Sequence, residues 1–140
     1  MGKEIMYVKK VKMLGIITDE SLSWSPQIPL ICQKVFVTLH HLYKFKSNTP
    51  IETRLKLVKS LVLPIFDYCD FLYFDLDAEC LYLLQKFQNH AISYICDVKR
   101  HEHISPYYQK LGILKIRKRH ELHSLIIWHI KYCMAMHLPT

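Results

Sequence analysis

The chain has 140 residues, of which 19 are lysine or arginine and 12 are aspartate or glutamate, so its formal net charge is +7 at pH 7. This length favours a single domain with its own core, and a hydrophobic content of 51% excludes a disordered tail. Only three glycines are present, which excludes a glycine-rich phosphate loop and a turn-dense β-sandwich.

Charge is distributed unevenly along the chain. Residues 1–50 carry a net charge of +4, residues 51–98 carry −3 and residues 99–140 carry +6. Two basic ends therefore flank an acidic middle. This pattern indicates an anionic partner for the basic ends, and a surface facing away from that partner, or docking elsewhere, for the middle.

The first 24 residues predict a small β element. In residues 6–18, β-branched and bulky side chains interleave with lysines, which is typical of a strand or a short hairpin with one polar face. Gly15 indicates a bend or bulge within it.

Residues 25–98 predict three helices. Ser25 before Pro26 is typical of a helix start, with a hydroxyl N-cap and proline at the first helical position. Thr49 and Glu52 form a capping-box pattern for the second helix, which Pro64 is expected to kink or break.

After Pro64, residues 65–74 are expected to resume as a largely buried helix, and Asp75 or Asp77 to cap the third helix. Residues 99–140 then predict a polar loop, a short helix that begins at Ser105-Pro106 and ends at Gly112, and a long helix from about residue 116 to 136. The long helix has one apolar face that comprises Leu122, Leu125, Ile126, His129 and Cys133. The predicted fold class is mainly α, with a strand or hairpin followed by a bundle of four to five helices.

The cysteines and the apolar runs bear on the cellular compartment. The five cysteines form no C-x-x-C pair, and no signal peptide is recognised at the start of the sequence. Reduced thiols and an intracellular location, cytoplasmic or nuclear, are therefore expected. No membrane span is expected, because charged residues and Pro64 interrupt the richest apolar run, residues 57–74.

No catalytic residue, metal site or cofactor is predicted for this chain. His101/His103 and His120/His123 do not have the spacing of a zincin motif, and the carboxylates Asp67/Asp70 and Asp75/Asp77 lack the adjacent pair of a polymerase box. A cysteine–histidine nucleophile stays open as an alternative without a local signature.

Basic side chains with aromatic neighbours are the remaining signal, and they suit sequence-indifferent contact with nucleic-acid phosphates. The predicted nucleic-acid-binding residues are Lys9, Lys10, Lys12, Lys44, Lys46, Lys99, Arg100, Lys115, Arg117, Lys118 and Arg119. Solvated lysines that favour helix C-termini are the alternative interpretation.

Four segments in chain order resemble motifs of one protein family. They are residues 13–19 with Leu22-Ser23-Trp24 and Ile28; Arg54, Leu57, Ser60, Leu63-Pro64, Tyr68 and Cys69; residues 84–89; and Ile104-Ser105-Pro106, Leu111-Gly112, Ile116, Arg119 and His123. In this order they resemble the thumb and post-thumb region of reverse transcriptases, the RNA-directed DNA polymerases of non-LTR retrotransposons, jockey-like ones in particular. The chain departs from the family pattern at His90–Ser93, where an arginine is usual, and at Lys115, where proline is frequent.

The resemblance implies a helical module that grips the template–primer duplex of RNA and DNA behind the active site. The catalytic palm, with its magnesium-binding aspartates, would lie before Met1, so the chain is expected to be a fragment without independent catalysis. The resemblance further implies structural roles for Gly15, Trp24, Pro64, Tyr68, Gln88 and Asn89. It also implies that the β element leans on the palm, so that an exposed apolar edge and self-association are expected. A helical protein-interaction module without a nucleic-acid role is the alternative.

Overall fold

A computed structural model describes residues 8–21, 23–73 and 75–136 of the chain. It confirms the predicted fold class, because an antiparallel hairpin precedes five helical segments. The strands are β1 (Lys10–Met13) and β2 (Ile16–Asp19), and the helices are α1 (Gln27–Tyr43), α2 (Ile51–Leu57), α3 (Leu63–Asp67), α4 (Ala78–Cys96), α5 (Ser105–Leu111) and α6 (Ile116–Met136). A π-helical turn, Val58–Val62, joins α2 to α3, so these two count as one segment. Predictions for residues 1–7, Leu22, Phe74 and residues 137–140 lie outside the described residues.

The hairpin turns through Leu14 and Gly15, which confirms the bend predicted at Gly15. Both residues have positive φ, +50° at Leu14 and +83° at Gly15, and Met13 pairs with Ile16 on either side. This is the conformation of a tight two-residue hairpin turn. The hairpin is held to the bundle by the Tyr68 hydroxyl, which donates to the Leu14 carbonyl at 2.6 Å, and by Gln27, whose Oε1 accepts from the Ile17 N–H at 2.9 Å.

Two predicted helix caps are wrong. Helix α1 begins one residue later than expected, with Pro26 at the N-cap position and no side-chain cap, and the carbonyl of Trp24 accepts from the first N–H groups instead. The Thr49–Glu52 capping box is absent because the Thr49 hydroxyl donates backward to the Phe45 carbonyl at 2.7 Å. In both places a local hydrogen bond to the preceding turn replaces the expected cap.

Pro64 interrupts the helix as predicted, and the interruption takes the form of the π-helical turn just before it. Proline lacks an N–H and its ring crowds the preceding helical turn, so a wider turn relieves the clash. The expected helix over residues 65–74 is wrong: α3 ends at Asp67, Cys69 has φ +57°, and a 3₁₀ turn follows at Asp70–Tyr73.

The later helix ends agree with the sequence signals. Asp77 caps α4 by accepting from the Cys80 N–H at 2.7 Å, and Gly112 ends α5 with φ +62°, a conformation that favours glycine. Pro106 lies in the first turn of α5, where its missing N–H is tolerated.

The helices share one hydrophobic core. Ile28 and Val35 of α1, Phe66 of α3 and Ile92 of α4 are buried in it together with Ile116 of α6. The predicted segments 25–98 and 99–140 therefore pack against each other around a common core.

Helix α6 is packed only in its first turns. Ile116 and His120 are buried, whereas the apolar face predicted for this helix is largely exposed from Leu122 onward. Within the described residues, no helix combines the length and apolar character needed to cross a membrane.

Candidate functional site

One group of basic side chains surrounds Asp97, where α4 ends beside the end of α1 and the start of α2. Lys46 Nζ lies 2.5 Å from Asp97 Oδ1, and Arg54 Nη1 lies 2.6 Å from Asp97 Oδ2. The same Arg54 nitrogen donates to the carbonyls of Tyr94 and Ile95, at 3.3 and 3.2 Å. Arg54 thus satisfies carbonyl groups at the end of α4 that the helix itself leaves without partners. We call this group the basic pole; its members are Lys44, Lys46, Arg54, Lys99 and Arg100.

Two members of the basic pole, Lys46 and Arg54, are held in place by contacts with their neighbours. Lys46 is held over the rings of Tyr43 and Tyr94, at 5.0 and 5.8 Å from their centroids. Hydrogen bonds from Lys46 and Arg54 lower the pKa of Asp97 below its ordinary value. The Glu102 carboxylate accepts from the Lys99 N–H at 3.2 Å. Two acidic groups, Asp97 and Glu102, thus lie beside the five basic ones. A net positive charge is therefore left for an external anion.

The pole brings together four of the predicted nucleic-acid-binding residues. Lys44 and Lys46 are two positions apart in the sequence, and one residue separates Asp97 from the adjacent Lys99 and Arg100. Lys44, Lys99 and Arg100 are exposed. The fifth member, Arg54, was not predicted to belong to a basic surface, because its position there depends on Asp97, a carboxylate 43 positions away in the sequence.

A second basic group occupies the start of α6. The side chains of Arg117 and Lys118 are 77% and 71% exposed and pair with Glu121 at 3.5 and 2.9 Å. Such exposed pairs contribute little and exchange readily for another anion. Lys115 donates to the Ser105 hydroxyl at 3.1 Å and lies 5.8 Å from the centre of the Tyr108 ring.

Arg119 differs from its neighbours, because its guanidinium is committed inside the protein. Its Nε and Nη2 bind both carboxylate oxygens of Asp67, the latter at 2.5 Å, and only 19% of the side chain is exposed. The hydrogen bonds that Arg119 donates to Asp67 raise the pKa of Arg119. This side chain joins α6 to α3, so it is poorly placed to reach a phosphate.

The hairpin lysines lie apart from the basic pole. Lys9, Lys10 and Lys12 are exposed on and beside β1. The hairpin contacts the start of α1 through Ile17 of β2 and Gln27, whereas the pole lies at the other end of α1. A helix of 17 residues spans about 25 Å. The predicted binding residues thus form separate groups rather than one continuous surface.

A polar network surrounds two of the residues for which structural roles were predicted, Gln88 and Asn89. The buried Gln88 donates from Nε2 to the Leu114 carbonyl at 2.9 Å, and the Tyr108 hydroxyl donates to Asn89 Oδ1 at 2.7 Å. Gln85, which was not predicted, accepts from the Ile116 N–H at 3.1 Å and donates to the Tyr108 hydroxyl at 2.8 Å. The network fastens α4 to α5 and to the start of α6.

The other predicted structural residues lie outside this network. Trp24 packs edge-on against Tyr73, with ring centroids 5.3 Å apart. Tyr68 holds the hairpin turn, as described above, and Pro64 follows the π-helical turn.

Asp67, Asp70 and His123 form a cluster whose ligand atoms lie within 4.8 Å of one another and could hold a cation. Asp70 is buried, which raises its pKa, while the hydrogen bond with His123 Nδ1 opposes that shift. Asp67 is already bound by Arg119 and Asp70 by His123, so the cluster is better described as a double latch between α6 and the segment after Pro64. The two pairs of the latch, Arg119 with Asp67 and His123 with Asp70, are 52 and 53 positions apart in the sequence, so local spacing could not predict them.

His120 lies beside a cleft of about 600 Å³ between α6 and the start of α4. Burial lowers its pKa, and its Nε2 has no hydrogen-bond partner among the described residues. Tyr73, Leu76, Leu81 and Leu125 give the cleft apolar walls.

The chain matches no protein-family model, no curated protein and no solved structure.

Proposed function

We propose that this chain is a non-catalytic helical module that binds the sugar–phosphate backbone of nucleic acid, as the thumb region of a non-LTR retrotransposon reverse transcriptase does. The basic pole carries the proposal, because Lys46 and Arg54 pair with Asp97 and so hold the end of α1 beside the end of α4. This places the exposed side chains of Lys44, Lys99 and Arg100 near one another, where they can reach phosphates. The order of the four sequence motifs adds support from the whole length of the chain.

The side chains of the pole suit phosphate binding without base readout. Lysine and arginine neutralise phosphates, and such contacts position a protein on a duplex without reading its sequence. A template–primer duplex has to be held whatever its sequence, so this chemistry fits the proposed role. Arg117 and Lys118 form a second contact, near the positive end of the α6 macrodipole.

The hairpin suits docking against another domain, in the manner that the resemblance assigns to the palm. Met13 and Leu14 are 65% and 86% exposed, and Val8 and Val11 are exposed beside them. An exposed strand with apolar side chains favours a protein partner.

Charge reversal tests the proposal. We expect Lys99→Glu with Arg100→Glu to weaken binding of the full chain to a 20-base-pair DNA–RNA hybrid by at least tenfold at 100 mM salt, because favourable phosphate contacts become repulsive. Arg117→Glu with Lys118→Glu is expected to weaken binding in the same direction. Fluorescence anisotropy of a labelled duplex measures both.

The matched control is Lys34→Glu with Lys86→Glu, which makes the same change in net charge on the middle of α1 and α4. It should reduce affinity much less than the pole variant. Equal losses in both variants would attribute binding to overall charge and contradict a role for the pole.

The second candidate is a protein-interaction module, favoured by the exposed apolar side chains of β1 and α6. It predicts association with protein that persists at high salt and no affinity for duplexes at low salt. If the chain showed no duplex binding at low salt and a salt-resistant association with protein, the protein-interaction module would replace the proposed function.

A further inference from the structure

We infer that two copies of this chain pair through the second half of α6, in antiparallel orientation. This inference goes beyond the proposed function and does not depend on it. The observation behind it is that α6 continues for several turns past its last buried residue, His120.

The projecting part of α6 has an unusual surface. Residues 124–136 carry one formally charged side chain, Lys131, and several large apolar ones. Leu125, Trp128, Tyr132 and Met136 recur at intervals of three and four, which places them on one face of the helix. They are 65%, 66%, 54% and 69% exposed. We call these four residues the α6 stripe.

Such a helix needs a partner. An isolated helix of this length is marginal in water, and an apolar stripe on an unpacked helix favours burial against another surface. Tryptophan and tyrosine are also the residue types that contribute most to protein interfaces. The Trp128 and Tyr132 rings stack with centroids 5.6 Å apart, which presents a flat aromatic surface.

The cleft beside His120 makes the chain complementary to itself. Ser124 and Leu125 line that cleft, so the α6 stripe begins at its edge. In an antiparallel pair centred near Ile130, Trp128 meets the partner's Tyr132, and the partner's Met136 arrives beside Ser124. The end of each helix then enters the cleft of the other copy, where Arg117, His120 and Glu121 lie beside the apolar walls, as a twofold interface requires.

The charge of α6 favours the antiparallel arrangement over the parallel one. The basic residues Arg117, Lys118 and Arg119 lie near its start, and the 21-residue helix is about 32 Å long. Parallel pairing would bring the two basic starts together, whereas antiparallel pairing keeps them far apart.

The available area sets the expected strength. Four side chains that are more than half exposed, together with the cleft walls, amount to roughly 500 Å² per copy, or about 1,000 Å² for the pair. This is near the lower limit for a specific interface, so we expect a dissociation constant of about 1–100 μM.

Sedimentation velocity on the full chain, treated with nuclease to remove nucleic acid, tests the inference. Between about 1 and 200 μM, the mass should rise from that of one 16.7 kDa chain to that of two. The association should persist or strengthen at high salt, which screens the repulsion between two positively charged copies, whereas nucleic-acid binding weakens. A chain that stays monomeric over this range would overturn the inference and leave the proposed function untouched.

The two methionines near the end of α6 provide a matched pair of variants. Met134 and Met136 are both 69% exposed, but only Met136 lies on the stripe. Met136→Glu and Trp128→Glu should each raise the dissociation constant at least tenfold, whereas Met134→Glu should change it less than threefold. Equal effects of Met134→Glu and Met136→Glu, or dissociation caused by Met13→Glu on the hairpin, would overturn the assignment to this face.

Discussion

Arg119 belongs to the internal structure of the protein, although it lies in the most basic stretch of the chain. The helical repeat turns it toward Asp67, while Arg117 and Lys118 on the same turn point to solvent. Charge in the sequence therefore did not distinguish a latch residue from surface residues, since the distinction depends on a carboxylate 52 positions away.

The latch gives a prediction for stability. Arg119→Ala should lower the free energy of unfolding by about 1–3 kcal/mol, because it leaves the half-buried Asp67 carboxylate without its partner. Arg119→Lys should cost less, since it keeps the charge but loses the bidentate geometry. Urea denaturation followed by circular dichroism measures both.

Arg117→Ala is the control, because its exposed pair with Glu121 should contribute about 0.5 kcal/mol or less. If Arg119→Ala were as stable as the unmodified chain but bound duplex more weakly, Arg119 would be a phosphate ligand and not a latch.

His120 gives a prediction for pH. Burial lowers its pKa in the folded state, and this effect outweighs the opposing influence of Asp70 and Asp67, which is itself reduced by His123 and Arg119. The unfolded chain, in which histidine has a pKa of about 6.5, then binds more protons than the folded one, so stability should fall as the pH drops below about 6.5.

His120→Leu isolates this effect, since it removes the proton-binding group and the Nε2 that has no described partner. Between pH 7.5 and pH 5.5, the urea midpoint of the unmodified chain should fall further than that of the variant. Parallel losses in both proteins would assign the acid sensitivity to other groups.

At the scale of the elements, the network around Gln88 determines how α5 and α6 sit on α4. Gln88→Ala should lower the free energy of unfolding by about 2–4 kcal/mol, because it leaves the Leu114 carbonyl without its partner and opens a cavity. Gln33→Ala, on the exposed face of α1, is the control and should change stability by about 0.5 kcal/mol or less. Hydrogen exchange should also show faster exchange in α5 for Gln88→Ala; unchanged exchange there would argue against a fastening role.

Element boundaries were predictable where a signal is local. Asp77 and Gly112 act within one turn of their own position, and both behave as the sequence indicates. Ser25 and Thr49 carry the same kind of signal, but neither side chain caps its helix. The Trp24 carbonyl accepts from the first N–H groups of α1, and the Thr49 hydroxyl donates to the Phe45 carbonyl. The π-helical turn itself was beyond prediction: Pro64 marks the interruption but does not specify how the helix accommodates it.

At the scale of the whole molecule, the acidic middle of the sequence contains both paired and exposed carboxylates, since Glu52, Asp75, Asp77 and Glu79 are exposed. Asp97 pairs with Lys46 and Arg54, and Asp67 pairs with Arg119. These acidic groups neutralise cations from both basic ends. The predicted binding residues that stay exposed lie in the outer part of the basic pole, at the start of α6 and on the hairpin, so the positive charge that they offer a partner is divided among separate groups.

The proposed function requires that these cations bind the nucleic-acid backbone without reading its sequence. The most direct test is the dependence of duplex affinity on salt for two 20-base-pair duplexes of unrelated sequence. If about three to five phosphates are neutralised, log K should fall with log salt concentration at a slope of about −2.7 to −4.5, with affinities within about threefold for the two sequences. An affinity that is absent at 50 mM salt, or that does not change between 50 and 200 mM, would contradict the account.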